Sequence, residues 1–343
     1  MKKLLNVLYV KLEDAYLCLE NENVCVRQNG EDLLKIPLLN LEGIVCFNYS
    51  GISPQLMGAC AERRIFVSFL TQTGRFLASV YGETKGNVLL RKEQYRISED
   101  EKRAIRLAKN FVFGKLHNQK WVIERTLRDH GLRVDAESLK RASLFISECM
   151  RQALECGAMG ELRAIEGKGA QTYFNVFDEL ILQNKESFMF ISRNRRPPID
   201  PVNALLSFAY VLLANECKAS LEAVGLDSYV GFMHADRPGR PSLALDLMEE
   251  LRPQFADRFV LSMINRKEID PSDFERQESG AVLLKDEARK RFLTAWQQRK
   301  REEITHPFIE EKINRGLVPH VQALLLSKAV RGDLEEYPCF LWK

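Results

Sequence analysis

The chain has 343 residues, 45% hydrophobic and 28% charged, the balance of an ordinary globular protein with room for about two domains. Its net charge of +3 is too small to announce a nucleic-acid binder from the total alone. No run approaches the ~18 uninterrupted apolar residues of a membrane span, and eight cysteines without a C-x-x-C pair argue against a zinc site.

The opening MKKLLNVLYV has a short basic start, but Lys11, Glu13 and Asp14 interrupt the apolar run and no small-residue cleavage site follows. A cytoplasmic protein is expected, with its cysteines (18, 25, 46, 60, 149, 156, 217 and 339) as reduced thiols, mostly among apolar neighbours. Strand-like runs rich in Val, Leu, Phe and Tyr occupy 4–10, 15–20, 23–28, 43–48, 66–70 and 75–82, punctuated by Glu-Asp, Asn-Glu-Asn and Asn-Gly turns. Residues 52–64 have helical spacing, with Pro54 near the start. A polar segment with two glycines, 81–100, forms the joint. Beyond it, 98–129 reads as a long amphipathic helix with an acidic first turn and a Ser98–Glu101 capping box.

Further helical runs are expected at 135–158, 159–167, 170–186, 200–224, 241–253, 255–265, 286–302 and 309–331, and a hairpin over 274–284 turning at Ser279-Gly280. The fold class is therefore α+β: a small β-rich N-terminal domain (1–84), a linker (85–100) and a mainly α-helical C-terminal catalytic domain (101–343). Residues 1–90 carry nine basic and nine acidic side chains, so the whole basic surplus lies in the helical part.

Three segments of that part can carry chemistry. In ELRAIEGKGAQTYF (161–174), Glu166 precedes Gly167 and Gly169, and small neighbours would let a large substrate approach the carboxylate. Taken alone, the simpler reading is a surface glutamate before a helix-ending glycine. In DSYVGFMHADRPGRPSLALDLMEELRP (227–253), His234 stands at an element end. Asp246, Glu249 and Glu250 follow at i, i+3 and i+4, beside a stripe of Leu243, Leu247 and Leu251. Carboxylates grouped against a core need a cation or an Arg/Lys to neutralise them, although a solvated acidic face is the commoner outcome for one helix. In SRNRRPPIDPVNALLSFAYVLL (192–213), Arg193, Arg195 and Arg196 make a phosphate-pairing patch or a solubilising loop, and Asp200-Pro201 starts a helix. A histidine with carboxylates suits Mg²⁺ or Mn²⁺. The residues alone do not rank the carboxylates.

The strings IEGKGAQTYF, RNRRPPIDPVNALLSFAYVLL and GFMHADRPGRPSLALDLMEELRP, with the ending YPCFLWK, resemble the CRISPR-associated integrase of spacer acquisition (the Cas one family). The likeness spans the whole chain, and the wording of the 231–253 string is most similar to the subtype I-C branch. It implies a metal-dependent DNA endonuclease and strand-transfer enzyme that joins prespacer 3′-hydroxyls into the CRISPR repeat. By the same resemblance Glu166, His234 and Glu249 hold Mg²⁺ or Mn²⁺, with Asp246 as an extra carboxylate of the catalytic set. Some members carry Asp at position 249, which leaves the split of roles between Asp246 and Glu249 open. Arg163, Tyr173, Asn203 and Arg252 match motif positions that line or support the site, and are expected with Arg193, Arg195 and Arg196 as DNA-binding residues. The implied partners are double-stranded DNA (prespacer and repeat), a second copy through the β-rich domain, a ferredoxin-like protein (Cas two) and an iron–sulfur exonuclease (Cas four), with no membrane.

Two other readings compete. One is a non-catalytic DNA-binding scaffold whose acidic helix is neutralised by Arg237, Arg240 or Arg252. The second is a metal-dependent nucleotide phosphohydrolase built on His234-Ala235-Asp236. Such a site needs further histidines, and 117, 306 and 320 lie in strings without a supporting Asp neighbour.

Overall fold

A computed structural model describes the chain apart from residues 1–5, 13, 48–50, 64, 72–75, 81, 83–87, 195, 196 and 343. The chain divides into two compact units, one of 1–86 with 293–302 and 314–317, the other of 87–292, 303–313 and 318–343. Mixed α and β structure, strand-rich first and mostly helical later, is the expected class.

The first unit holds β1 (Asn6–Val10), β2 (Tyr16–Glu20), β3 (Asn23–Gln28), β4 (Glu31–Pro37), β5 (Leu41–Phe47), β6 (Gly51–Ile52), α1 (Pro54–Glu62), β7 (Phe66–Leu70) and β8 (Phe76–Val80). They form two four-stranded sheets, ordered β1-β5-β7-β8 and β4-β3-β2-β6. Asn29 and Gly30 both take positive φ (53° and 83°), the conformation that a tight β3–β4 hairpin requires. Val24, Val26, Ile44, Leu17, Leu56 and Val67 belong to its apolar core. Strand β4 has no counterpart among the strand-like runs read from sequence. Its side chains are almost all exposed, Leu33 and Leu34 included, so its pattern lacks the buried alternation that marks a strand.

The second unit is built on α2 (Val88–Glu99), α3 (Glu101–His130), α4 (Ala136–Glu155), α5 (Met159–Asn175), α6 (Pro201–Ala223), α7 (Ser242–Arg252) and α8 (Arg258–Asn265). A hairpin of β9 (Phe274–Arg276) and β10 (Val282–Leu284) follows, then α9 (Asp286–Lys300), which ends in the first unit, short strands β11 (Glu303–Thr305) and β12 (Lys312–Asn314), and α10 (Val318–Arg331). The segment expected as a linker thus contains α2. The long helix starts later than Ser98: Asp100 is its N-cap and accepts from the amides of Lys102 and Arg103, while Ser98 Oγ donates to Tyr95 O. The last helix begins at 318 rather than 309, because 312–317 is occupied by β12 and a 3₁₀ turn.

The runs 159–167 and 170–186 merge, and α5 passes unbroken through Gly167 and Gly169 to Asn175. A Cβ at Gly169 would run into the Leu116 side chain of α3, so the glycine serves close helix packing rather than helix termination. At Gly167 nothing lies within 4 Å of such a Cβ, which leaves open space beside Glu166. Helix α6 is the one described helix long and apolar enough to cross a membrane by composition. It is a core helix, with Val202, Leu205, Leu206 and Leu213 fully buried and its side packed on α7 and α10.

Candidate functional site

All the charged groups of the site come from the helical unit. Helix α3 supplies Lys115 and α5 supplies Glu166. The loop before α7 carries His234, and α7 itself carries Asp246, Glu249 and Arg252.

The histidine loop is held from three directions. Gln94 of α2 donates to Asp227 O and Val230 O, each at 2.8 Å, and accepts from Asp227 N. Arg163 of α5 donates twice to Met233 O, at 2.9 and 2.5 Å. Asp246 reaches back from α7 and accepts from the amides of Phe232, Met233 and His234 at 2.7, 3.0 and 3.0 Å. Gly231 makes this approach possible: a Cβ there would lie 2.8 Å from Ser242 Cβ and 2.9 Å from Asp246 Oδ2.

The same carboxylate meets His234 Nδ1 at 2.6 Å. An acceptor at Nδ1 favours the tautomer protonated there, which frees the Nε2 lone pair to face the pocket. Asp246 is fully buried and all its described contacts are to this loop, so it acts by orienting the imidazole.

Glu249 is the convergence point. Its Oε1 accepts from Arg252 Nη2 at 2.8 Å and lies 4.0 Å from His234 Nε2. Its Oε2 faces Lys115 Nζ at 2.6 Å as an ion pair and accepts no aligned hydrogen bond from the described residues. Lys115 also bonds Glu166 Oε1, so one buried ammonium joins the two carboxylates. Burial alone would push the Glu249 carboxyl up, but Arg252, Lys115 and His234 outweigh it and hold the group ionised, well below its ordinary value. Burial likewise works against the Lys115 ammonium, and Glu249 and then Glu166 overcome it.

Arg252 is fixed on its other side. Its guanidinium lies 4.7 Å from the Tyr210 ring centroid, and Arg193 sits 5.2 Å from the same ring. Tyr210 in turn donates to Asp257 Oδ1 at 2.6 Å, and burial pushes the Asp257 carboxyl up to about 6.

Glu166 and Glu249 are therefore joined through Lys115, and Glu249 lies beside His234, with Asp246 behind the histidine and Arg163 and Arg252 bonded at either side. Two residues expected to contact DNA, Tyr173 and Asn203, are internal instead, and a third, Arg193, is half-buried and engaged within the chain. Tyr173 is 0% exposed, with its ring against Phe174 and Phe177, because the merged α5 turns it into the core. Asn203 is also fully buried and bonds Asp200, Asn194, Arg193 and Ser192 O. Arg193 bonds Asn203 and Ser207, so the pair ties the 192–200 loop to α6. Arg195 and Arg196 lie outside the described residues.

Lys115 escaped the sequence reading. Its signal was a lysine on the apolar face of α3, four residues from buried Phe111 and from buried Gln119. A cation at a core position implies buried carboxylates elsewhere in the chain.

Two carboxylates and an imidazole are a donor set for a hard divalent ion with some preference for Mn²⁺. Ligand atoms about 2.1 Å from one ion stand at most about twice that apart, and His234 Nε2 and Glu249 Oε1 meet this limit at 4.0 Å. No three His, Cys, Asp or Glu side chains among the described residues form a closed cage, since Lys115 stands between the carboxylates. The site fits an ion that enters beside an existing cation.

A profile of the family described as "CRISPR associated protein Cas1" matches residues 8–298. A full-length relative from Chlorobaculum tepidum, "CRISPR-associated endonuclease Cas1 1", is 48% identical over 343 residues and covers 100% of both chains. Among solved structures, a casposase bound to integration product superposes with TM-score 0.84 at 21% identity over 99% of this chain and 95% of that one. The "Cas6-RT-Cas1--Cas2 complex" contains a chain that matches with TM-score 0.81 at 23% identity, over 100% of this chain and 37% of that one. At these identities the superpositions speak for the fold.

Proposed function

The chain belongs to the Cas1 family of CRISPR-associated proteins, and from that premise we propose that it is a metal-dependent DNA endonuclease and integrase of spacer acquisition. In this reading Glu166, His234 and Glu249 hold Mg²⁺ or Mn²⁺. The observation that carries it is the convergence of Glu166 and Glu249, from two separate helices, with an imidazole whose other nitrogen is engaged by Asp246.

The bound ion would neutralise charge on a phosphodiester and activate an attacking hydroxyl. This chain's own residues do the rest. Asp246 and Arg163 fix His234, Lys115 fixes the two carboxylates, and Arg252, stacked on Tyr210, presents a guanidinium at the pocket edge suited to a phosphate oxygen. In-line phosphoryl transfer depends mainly on such positioning. Gly167, with open space beside Glu166, leaves room for a duplex backbone.

The partners proposed are prespacer and repeat DNA, a second copy, a Cas two-type protein and a Cas four-type exonuclease, in the cytoplasm and within the subtype I-C branch. The exposed Leu33, Leu34 and Leu39 support a protein-contacting role for the first unit. One observation favours the scaffold alternative: Lys115 and Arg252 already neutralise the carboxylates.

The two readings part in a strand-transfer assay on a supercoiled plasmid bearing a CRISPR repeat. It contains a short duplex with free 3′-hydroxyls, the Cas two-type partner and Mn²⁺. Joined product that disappears with chelator, with blocked 3′ ends and with Glu166→Ala is the expected outcome. DNA binding without joining under every condition would instead establish the scaffold.

A further inference from the structure

Lys115 has no role in the chemistry proposed above beyond holding carboxylates, yet its placement has consequences for how an ion can enter. Its side chain is 3% exposed, and an ammonium withdrawn from water is strongly unfavourable unless it is paired. Here it is paired twice, with one oxygen of Glu166 and one of Glu249. Arg252 adds a second cation on Glu249.

The charges nearly cancel. Glu166 and Glu249 carry two negative charges against the two positive charges of Lys115 and Arg252. Asp246 is engaged by three backbone amides and by His234. A divalent ion arriving in this pocket meets an ammonium and a guanidinium within bonding reach of its own ligands. Its two added charges are balanced when an anion arrives with it, and a phosphodiester is such an anion.

We infer that Lys115 is a resident cation that keeps the two carboxylates in place without metal and makes tight divalent-ion binding depend on DNA. Metal and DNA then bind with positive coupling. By thermodynamic reciprocity each tightens the other by the same factor, and Lys115 sets much of that factor. The inference rests on Glu166, His234 and Glu249 holding the ion.

The test measures free Mn²⁺ by electron paramagnetic resonance during titration of the full chain. Titrations run with and without a duplex whose 3′ ends are dideoxy and cannot react. Wild type is expected to bind Mn²⁺ weakly alone and roughly 5- to 150-fold more tightly with the duplex, the usual span of coupling between sites. Lys115→Met is expected to bind Mn²⁺ at least about tenfold more tightly without DNA, and to lose a matching part of the DNA effect. Lys115→Arg retains wild-type coupling. In chelator Lys115→Met melts lower than wild type, and Mn²⁺ restores it. If that variant does not fold, Lys115→Gln, polar but uncharged, gives the same comparison.

Mn²⁺ affinity unchanged or weakened in the uncharged variant, with the DNA effect intact, overturns the inference and leaves Lys115 as a packing residue. Failure of the metal-site reading has a different signature. Glu249→Gln would then bind Mn²⁺ as wild type does, whatever the Lys115 variants do.

Discussion

Glu249 and Glu250 follow one another on α7 and are both buried, yet they are driven in opposite directions. Around Glu249 the neighbours are cations, and the group stays ionised despite its burial. Glu250 points a third of a turn away, into neutral donors: Tyr337 Oη and Gln322 Nε2 donate to Oε1, and Phe340 N donates to Oε2. Burial there prevails over those hydrogen bonds and pushes the carboxyl up to about 7.

These neutral donors come mostly from the C-terminal segment. Asn118 of α3 completes the attachment by donating to Phe340 O and accepting from Trp342 N. Gly114, whose Cβ would lie 2.9 Å from Glu250 Cβ, lets α3 come this close. One side of α7 thus faces Lys115 and His234 and the other anchors the chain's end. Burial does not separate the two roles; the charge of the neighbours does.

The sharpest way to break this comparison is to exchange charge for amide at each position. Glu249→Gln is expected to lower strand transfer by at least about a thousandfold, several kcal/mol of lost transition-state stabilisation, while Glu250→Gln stays within a few-fold. Equal losses in a matched strand-transfer assay would erase the distinction. A smaller effect belongs to the residue that orients the histidine. Asp246→Asn puts an amide donor against the amide donors of 232–234, and Mn²⁺ affinity should fall about 10- to 100-fold. Unaltered affinity in a calorimetric titration would mean that His234 is fixed by Arg163 and Gln94 without it.

The smallest effect is in stability and carries a sign. Glu250 has its ordinary value, 4.5, when unfolded and about 7 when folded, so the fold favours its neutral form. That contribution is complete below about pH 4.5 and is lost as pH rises through about 7, by an amount on the order of 3 kcal/mol. Relative to wild type, Glu250→Gln should therefore gain denaturant stability between pH 5 and 8. A difference that stays flat with pH would contradict the burial argument.

The sequence by itself determined the change from strand-like to helical patterning, most element positions, and the 161–174 and 227–253 segments that supply the pocket. Those features depend on local periodicity and on turn residues, which are read over a few neighbouring positions. Tertiary structure decided the rest. It merged α5 through two glycines because Gly169 must pack on Leu116, turned Tyr173 and Asn203 inward, tied Arg193 to Asn203, and set Asp246 against a backbone loop and Glu249 against Lys115. It also brought Lys115 from a helix 51 residues before Glu166 to join two carboxylates. Helical spacing tells which residues share a face, but the charge that a face meets is set by segments distant in the chain.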